Sequence, residues 1–247
     1  MVIVIVIGVP LAVVALIVLL YFRFGWVREK RRREALGRLA GPTGMRFSRR
    51  DTLGLPRRLS GVKVLGHGRF RKARNLLYGQ YQGREIVICD CTCATGRRLH
   101  RRKDATPPQG ATTAESFSVC IHPLDVVLPD VIVRPEEAED KMQAFFGFED
   151  INFESDEFSR AFYVKGVNEK FAYDLIHPRM MELLLENPTC HLQLSGGFVL
   201  VSTGHTWEPE SIPGVLDFVV KFLDLIPEYV WREYRAEPTQ ASARKEC

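Results

Sequence analysis

Cysteines alternate with other residues along one short apolar stretch of the sequence. Cys89, Cys91 and Cys93 stand in the segment EIVICDCTCAT, whose β-branched residues favour a strand. Alternate side chains of a strand share one face and lie about 6 to 7 Å apart, whereas structural zinc usually takes C-x2-4-C pairs that a turn brings together. The pattern therefore predicts three thiols packed in a core, and it predicts neither a bound metal nor another cofactor.

A second pairing of reactive side chains is Cys120 with His122, which fall on one face of the predicted strand SFSVCIH. A thiol beside an imidazole is the arrangement of a cysteine nucleophile. Two alternating residues of one strand rarely reach the hydrogen-bonding geometry that such a pair needs, so packing is the simpler interpretation. Cys91, Cys120 and His122 are nevertheless the first candidates if the protein is an enzyme.

An acidic group follows in the second half of the chain. It consists of Glu149, Asp150, Glu154, Asp156 and Glu157. Carboxylate oxygens suit calcium or magnesium, but the sequence here does not have the D-x-D-x-D-G spacing of a calcium loop. We expect these side chains to lie in water or to cap a helix.

The distribution of charge divides the chain in two. Of 247 residues, 34 are Lys or Arg and 30 are Asp or Glu, which gives a net charge of +4. Residues 23–103 hold 23 basic and 5 acidic side chains, a net +18, whereas residues 104–247 hold 11 basic and 25 acidic side chains, a net −14. Such asymmetry indicates that the first part faces an anionic surface, either lipid head groups or nucleic acid.

Two basic clusters in the first part are the predicted lipid-facing residues. One cluster comprises Arg28, Lys30, Arg31, Arg32 and Arg33, and the other comprises Arg97, Arg98, Arg101, Arg102 and Lys103. A basic side chain near an anionic bilayer contributes about 1 kcal/mol of binding free energy. The second cluster has no interleaved aromatic residues for stacking on bases, so the membrane is the favoured partner over nucleic acid.

An uncharged apolar run, VIVIVIGVPLAVVALIVLLYF, occupies residues 2–22. As a helix it would be about 31 Å long, enough to cross the core of a bilayer. No basic residue precedes it and no small-residue cleavage site follows it, which predicts an uncleaved single-pass transmembrane helix rather than a signal peptide. Because the first basic cluster follows the run, the positive-inside rule predicts an outside N-terminus and a cytoplasmic C-terminal domain at the cell membrane.

The rest of the chain predicts an α+β domain with antiparallel strands and several helices. Residues 23–44 favour a basic juxtamembrane helix that ends at Gly41-Pro42, residues 45–234 form the domain with a possible subdivision near residue 136, and residues 235–247 form a disordered tail. Strands are expected over residues 62–65, 75–82, 85–95, 116–122, 131–134 and 161–165. Hairpin turns are expected at Gln82-Gly83-Arg84 and at Gly196-Gly197. Helices are expected over residues 136–146, 180–185 and 213–226.

One long phrase, GFEDINFESDEFSRAFYVKGVNEKFAYDLIHPRMMELLLE, and the upstream segment RKARNLLYGQYQGREI carry a resemblance. Together they resemble a family of bacterial membrane-anchored proteins that are described only as hypothetical or as containing a domain of unknown function. The resemblance covers about half of the chain. It implies an anchored α+β domain in a bacterium, and it implies no activity, substrate, cofactor or catalytic residue.

These observations predict a membrane-anchored cytoplasmic domain that acts as a non-enzymatic interaction module. Its basic half would face the membrane, and its acidic half would face the cytosol or a protein partner. The alternative is a membrane-tethered enzyme or small-ligand receptor whose site joins residues that are distant in the sequence.

Overall fold

An antiparallel sheet organises the chain. The structure, a computed structural model, describes residues 2–62, 64–66, 69–95, 113–136 and 149–236. The strands are β1 (Arg46–Arg50), β2 (Arg69–Tyr81), β3 (Arg84–Thr95), β4 (Thr113–Pro123), β5 (Val131–Pro135), β6 (Glu149–Asp150), β7 (Phe162–Gly166), β8 (His191–Ser195) and β9 (Phe198–Ser202). The helices are α1 (Val2–Ala40), α2 (Leu55–Arg58), α3 (Asp156–Ala161), α4 (Glu169–Leu175), α5 (Pro178–Leu185), α6 (Ile212–Leu225) and α7 (Glu228–Ala236).

The nine strands of the described residues form one sheet in the order β1-β2-β3-β4-β9-β8-β5-β7-β6. Every pair of neighbouring strands is antiparallel. The hairpin of β8 and β9 is inserted between β4 and β5, so the second half of the chain completes the sheet that the first half begins. The predicted α+β class with antiparallel strands is confirmed, and a single sheet crosses residue 136, where the sequence suggests a subdivision.

Both faces of the sheet are covered, because residues along β3 and β4 alternate between two cores. Cys91 of β3 lies opposite Phe117 of β4, and both face a small core that also contains buried leucines and valines of residues 55–65. Ile88 lies opposite Cys120, and both face a large core to which α1 and α3 to α7 contribute apolar side chains. A sheet that is buried on both sides explains why thiols and aliphatic residues alternate so densely in this part of the sequence.

Two hairpin turns fix the register of the central strands. The residues Gln82 and Gly83 have φ values of 47° and 77°, and Gly196 and Gly197 have φ values of 58° and 78°. Positive φ at both central residues defines the two-residue turn that matches the right-handed twist of the flanking strands. Both turns stand where the sequence predicts them.

The tip of the β2–β3 hairpin is docked on α6 by polar contacts. Arg84 donates from Nη2 to Oδ1 of Asp224 at 2.7 Å, and the hydroxyl of Tyr81 donates to Oδ1 of Asp217 at 2.7 Å. The basic and the acidic parts of the sequence therefore meet inside the domain, and part of the charge asymmetry serves to hold these two parts together.

Some predicted elements differ from the observed ones. The predicted strand over residues 62–65 is wrong, since Val64–Gly66 forms a 3-10 turn whose apolar side chains fill the small core. The segment RFSRR forms β1, which lacks the apolar alternation of a typical strand and is not predicted. The predicted helix over residues 136–146 and most of the predicted tail lie outside the described residues.

The N-terminal prediction is corrected by the structure. Among the described residues, no helix combines the length and the apolarity that crossing a membrane requires, which overturns the predicted transmembrane helix over residues 2–22. Instead α1 is one helix of 39 residues that continues through the basic cluster to Ala40. It stops before Gly41-Pro42, as predicted, and its last turns pack on the sheet, where Leu36 is 1% exposed.

Leu36→Ala tests whether α1 is an integral part of the fold. Removing a buried leucine side chain leaves a cavity, so the free energy of unfolding should fall by about 2 to 5 kcal/mol in urea denaturation of the full chain. The control is Leu19→Ala on the same helix, at a side chain that is 62% exposed, which should change stability by less than about 0.5 kcal/mol. Equal effects of the two substitutions would show that the end of α1 is not packed on the sheet.

Candidate functional site

Helix α1 is fastened to the sheet by one largely buried ion pair. The guanidinium of Arg32 meets the carboxylate of Asp90 on β3 with two hydrogen bonds, from Nε to Oδ2 at 2.9 Å and from Nη2 to Oδ1 at 2.7 Å. Nη1 donates to the carbonyl oxygen of Trp207. The two charged side chains are 13% and 15% exposed, so water competes weakly for them, and a bidentate contact of this kind is among the strongest in proteins.

The carboxylate of Asp90 accepts two further hydrogen bonds. The hydroxyl of Ser118 on β4 donates to it at 2.7 Å, and the amide of Asn75 on β2 donates at 2.9 Å. Asn75 lies at an irregularity in the β2–β3 register, where its φ of 54° is left-handed, and its Nδ2 also donates to Glu29 of α1 at 3.0 Å. The two strands that flank β3, together with α1, thus supply the partners that a buried carboxylate requires.

The predicted lipid-facing residues of α1 mostly have carboxylate partners in the structure. The pairs are Arg28 with Glu208 at 4.0 Å, Lys30 with Glu34 at 3.8 Å, Arg33 with Glu29 at 2.9 Å, and Arg32 with Asp90. Only Arg31 of this cluster is exposed without an ion pair to a described residue. The second predicted cluster, Arg97, Arg98, Arg101, Arg102 and Lys103, lies outside the described residues, and lipid contact by either cluster stays a prediction.

A different set of cations stands free of acidic partners. We call this set the basic edge, and it consists of Arg46, Arg49 and Arg50 on β1, Arg57 and Arg58 on α2, and Arg71, Lys72 and Arg74 on β2. All eight side chains are exposed, and none forms an ion pair within the part of the chain that the structure describes. The segments RFSRR, PRR and RFRKAR carry the signal in the sequence, but sequence alone does not distinguish them from the basic cluster of α1, most of whose charges are paired.

Two arginines of the basic edge face each other across strands. Arg50 lies directly opposite Arg74 in the β1–β2 register, a position at which like charges destabilise a sheet. The nearest acidic residue in sequence, Asp51, accepts hydrogen bonds from the backbone N–H groups of Leu53, Gly54 and Leu55 at 2.9 to 3.0 Å. The carboxylate thus shapes the following turn and makes no ion pair with the basic edge, which is open to an external anion.

A cleft runs between α1 and β1, beside the basic edge. We call it the aromatic groove, and it is lined by Tyr21, Trp26, Lys30, Arg33, Phe47 and Arg49, together with two glycines and two glutamates of α1. Its volume is about 840 Å³, within the range of clefts that hold small ligands. A second cleft of about 740 Å³ lies on the opposite side of α1, against residues 206–210. There Arg28 of α1 lies 4.0 Å from Glu208, and Glu210 also lines the cleft.

The three alternating thiols lie in the small core, as packing predicts. Cys89, Cys91 and Cys93 are each no more than 1% exposed. Burial raises the pKa of the Cys89 and Cys91 thiols well above the ordinary value, so both stay protonated at neutral pH. A protonated thiol in an apolar core is a poor nucleophile and a poor metal ligand.

The suspected catalytic set does not converge on one site. Cys91 faces the small core while Cys120 faces the large core, on opposite sides of the sheet. His122 shares a strand with Cys120, but its Nδ1 is 2.7 Å from the carbonyl oxygen of Glu85. The imidazole is therefore engaged with the backbone of β3, and burial lowers its pKa below 6.5.

The acidic group of residues 149–157 has a structural role in part. Ser155 accepts a hydrogen bond from the backbone N–H of Phe158 at 3.3 Å and so caps α3, whose first turn carries Asp156 and Glu157. Carboxylates in the first turn of a helix interact favourably with the helix dipole and so stabilise the helix. Throughout the described ranges, no three His, Cys, Asp or Glu side chains come close enough together to hold a metal ion.

Comparison with known proteins identifies a similar fold but no family. No family model matches the chain, and no curated protein matches it in sequence. Its structure is similar to the crystal structure of the mycobacterial trehalose monomycolate transport factor A, TtfA, with a TM-score of 0.52 and 16% identity over 80% of this chain and 95% of that one. At this identity the likeness shows a shared fold alone, and the resemblance to a bacterial family of unknown function stays a prediction.

Asp90→Asn tests the ion pair that positions α1. The change leaves the guanidinium of Arg32 largely buried without its counter-charge, so the free energy of unfolding should fall by about 2 to 4 kcal/mol. Asp224→Asn is the matched control, because its pair with Arg84 is exposed (36% and 59%) and should contribute less than about 1 kcal/mol. The free energy of unfolding of both variants is measured by urea denaturation. If Asp90→Asn lowers it no more than Asp224→Asn does, the ion pair does not position α1.

His122 should make stability depend on pH below about 6.5. Burial disfavours the imidazolium, so the unfolded chain binds this proton more tightly than the folded chain does. Stability should therefore fall as the pH drops from the unfolded pKa towards the folded one, and His122→Gln should remove that component. Unfolding free energies of wild type and variant are compared across the pH range 5 to 7, and a difference between them that is constant with pH would refute the prediction.

Proposed function

We propose that the protein is a non-enzymatic interaction module whose basic edge binds the phosphate groups of an anionic lipid surface. The observation that supports this proposal most directly is the set of eight exposed cations without acidic partners in the described chain. Uncompensated charge of one sign raises the local concentration of counter-ions and of anionic partners. The cations extend over β1, α2 and β2, which suits a surface of many phosphates better than one small ligand.

The residue types favour phosphate. Seven of the eight cations are arginine, whose planar guanidinium binds phosphate oxygens in a bidentate manner and stays charged at every physiological pH. Each basic side chain near an anionic bilayer contributes about 1 kcal/mol. Several engaged together are enough for measurable attachment that weakens with salt.

A nucleic-acid partner is less well supported. Binding of single strands without sequence preference uses aromatic side chains on which bases stack. The aromatic residues within the basic strands are turned inward: Phe70 is 5% exposed in the small core, and Phe47 packs against the large core. Within β1, α2 and β2 the cations therefore have no exposed ring among them, since the exposed rings of Tyr21 and Trp26 belong to α1. This composition favours a lipid surface as the partner of the basic edge.

A second candidate function comes from the structural neighbour, which is a trehalose monomycolate transport factor. By analogy, this chain would contribute to moving a lipid-linked sugar. The aromatic groove favours this candidate, since exposed rings such as Trp26 can stack on a sugar ring. An enzyme or small-ligand receptor built on Cys91, Cys120 and His122 is disfavoured, because two of these residues face opposite sides of the sheet.

Vesicle flotation of the full chain tests the lipid proposal. The chain should float with phosphatidylglycerol-containing vesicles more than with neutral phosphatidylcholine vesicles, and the excess should fade through physiological salt, where the Debye length is about 8 Å. The variant Arg46→Gln, Arg50→Gln, Arg57→Gln and Arg58→Gln should reduce the excess at least about tenfold.

The matched control removes the same charge from a remote surface. It is the variant Arg179→Gln, Lys221→Gln, Arg232→Gln and Arg235→Gln, all exposed on α5 to α7. This control should float like the wild type. Equal losses in the two variants would show that net charge alone matters, and an unchanged basic-edge variant would refute the proposal.

A further inference from the structure

The aromatic groove contains exposed aromatic side chains. Trp26 is 61% exposed and Tyr21 is 78% exposed on the α1 wall of the groove, and Phe47 contributes a ring from β1. Large aromatic side chains at such exposure gain free energy when a partner covers them. The walls therefore suit the apolar part of a ligand.

The charges that line the groove leave one cation unmatched. Lys30 pairs with Glu34, and Arg33 pairs with Glu29. Arg49 on the opposite wall is exposed and has no ion pair to any residue that the structure describes. An anionic group that enters the groove would meet Arg49, with the ammonium of Lys30 nearby, 5.6 Å from the centre of the Trp26 ring.

The groove is kept open by the sequence of α1. Gly25 and Gly37 both line the groove. A Cβ at Gly25 would meet nothing within 4 Å, and one at Gly37 would come within 3.8 Å of Phe47. Glycine destabilises a helix interior relative to alanine, and at these two positions it widens the groove.

The α1 wall is attached to the sheet at its C-terminal end by Arg32 and Leu36. The groove thus exists before a ligand arrives, which lowers the entropic cost of binding. Preformed shape, exposed rings and one unmatched cation define an amphiphilic ligand with a single anionic group.

We infer that the aromatic groove binds one molecule of an anionic phospholipid, with its phosphate on Arg49 and its apolar part against Trp26, Tyr21 and Phe47. The inference rests on the proposed function and names a specific lipid site beside the basic edge. The vesicle experiment changes four other arginines, so the proposed function and this inference can fail separately.

The test is titration of the full chain with dihexanoyl-phosphatidylglycerol below its aggregation concentration, followed by tryptophan fluorescence. Trp26 is the most exposed of the three tryptophans, since Trp207 is buried and Trp231 is half-buried. Its emission should therefore shift to shorter wavelength and saturate, and the change should be absent in Trp26→Phe. Arg49→Gln should weaken binding at least fivefold. Gly25→Leu should abolish binding, since the side chain fills the groove without a clash.

Control variants distinguish lipid binding in the groove from general electrostatic attraction to the protein. Arg31→Gln removes an equal charge on the other side of α1 and should bind like wild type, and Gly25→Leu should still float with anionic vesicles. Neutral dihexanoyl-phosphatidylcholine and inorganic phosphate should each bind at least fivefold more weakly than the anionic lipid.

Three results would overturn the inference. They are the absence of a saturable change in the wild type, unaltered binding in Arg49→Gln, and binding of octyl glucoside as tight as that of the anionic lipid. The last result would point instead to a neutral sugar-bearing amphiphile.

Discussion

The contact between Arg32 and Asp90 is the constraint on which the arrangement of this protein depends. A guanidinium and a carboxylate that are about seven-eighths removed from water are stable only when nearly all of their hydrogen-bonding groups are satisfied. Here the partners come from α1, β2, β3, β4 and the backbone at Trp207. The pair therefore holds one helix at one position and angle over the sheet.

The position of α1 creates the features to which we assign function. One side of the helix and β1 form the aromatic groove, and the opposite side meets Glu208 and the residues near it. Four cations of α1 pair with carboxylates, whereas the cations of the basic edge on β1, α2 and β2 have no ion pair to a described residue. The unequal distribution of charge along the sequence thus has two parts. Some basic residues of the first half form ion pairs with acidic residues of the second half, as Arg84 does with Asp224. The basic edge has no such partner in the described chain.

The local elements were predictable because their signals are local. Glycine at a two-residue turn, serine at a helix start and proline at a first helical turn act within a few residues, and Gly83, Ser155 and Pro178 stand where the structure uses them. The insertion of β8 and β9 beside β4 depends on contacts between distant segments, so no local pattern reveals it. β1 escaped prediction because its edge position tolerates three arginines in five residues.

The sequence predicts a basic surface, but it does not show which basic residues form it. Sequence shows that residues 23–103 are strongly basic, but the distinction between paired and free cations needs the tertiary contact that places Asp90 beside Arg32 and the strand register that places Arg50 opposite Arg74. The transmembrane prediction is wrong because no helix of the described residues combines the required length and apolarity.

Hydrogen exchange of the backbone amides of residues 29–39 in the full chain tests the central claim, that Arg32 and Asp90 make α1 part of the domain. We predict that these amides exchange as slowly as those in the middle of β3, and that Asp90→Asn accelerates them selectively, since local opening of α1 then costs less free energy. Exchange at the rate of an unpacked helix in the wild type, or exchange that Asp90→Asn leaves unchanged, would contradict the account.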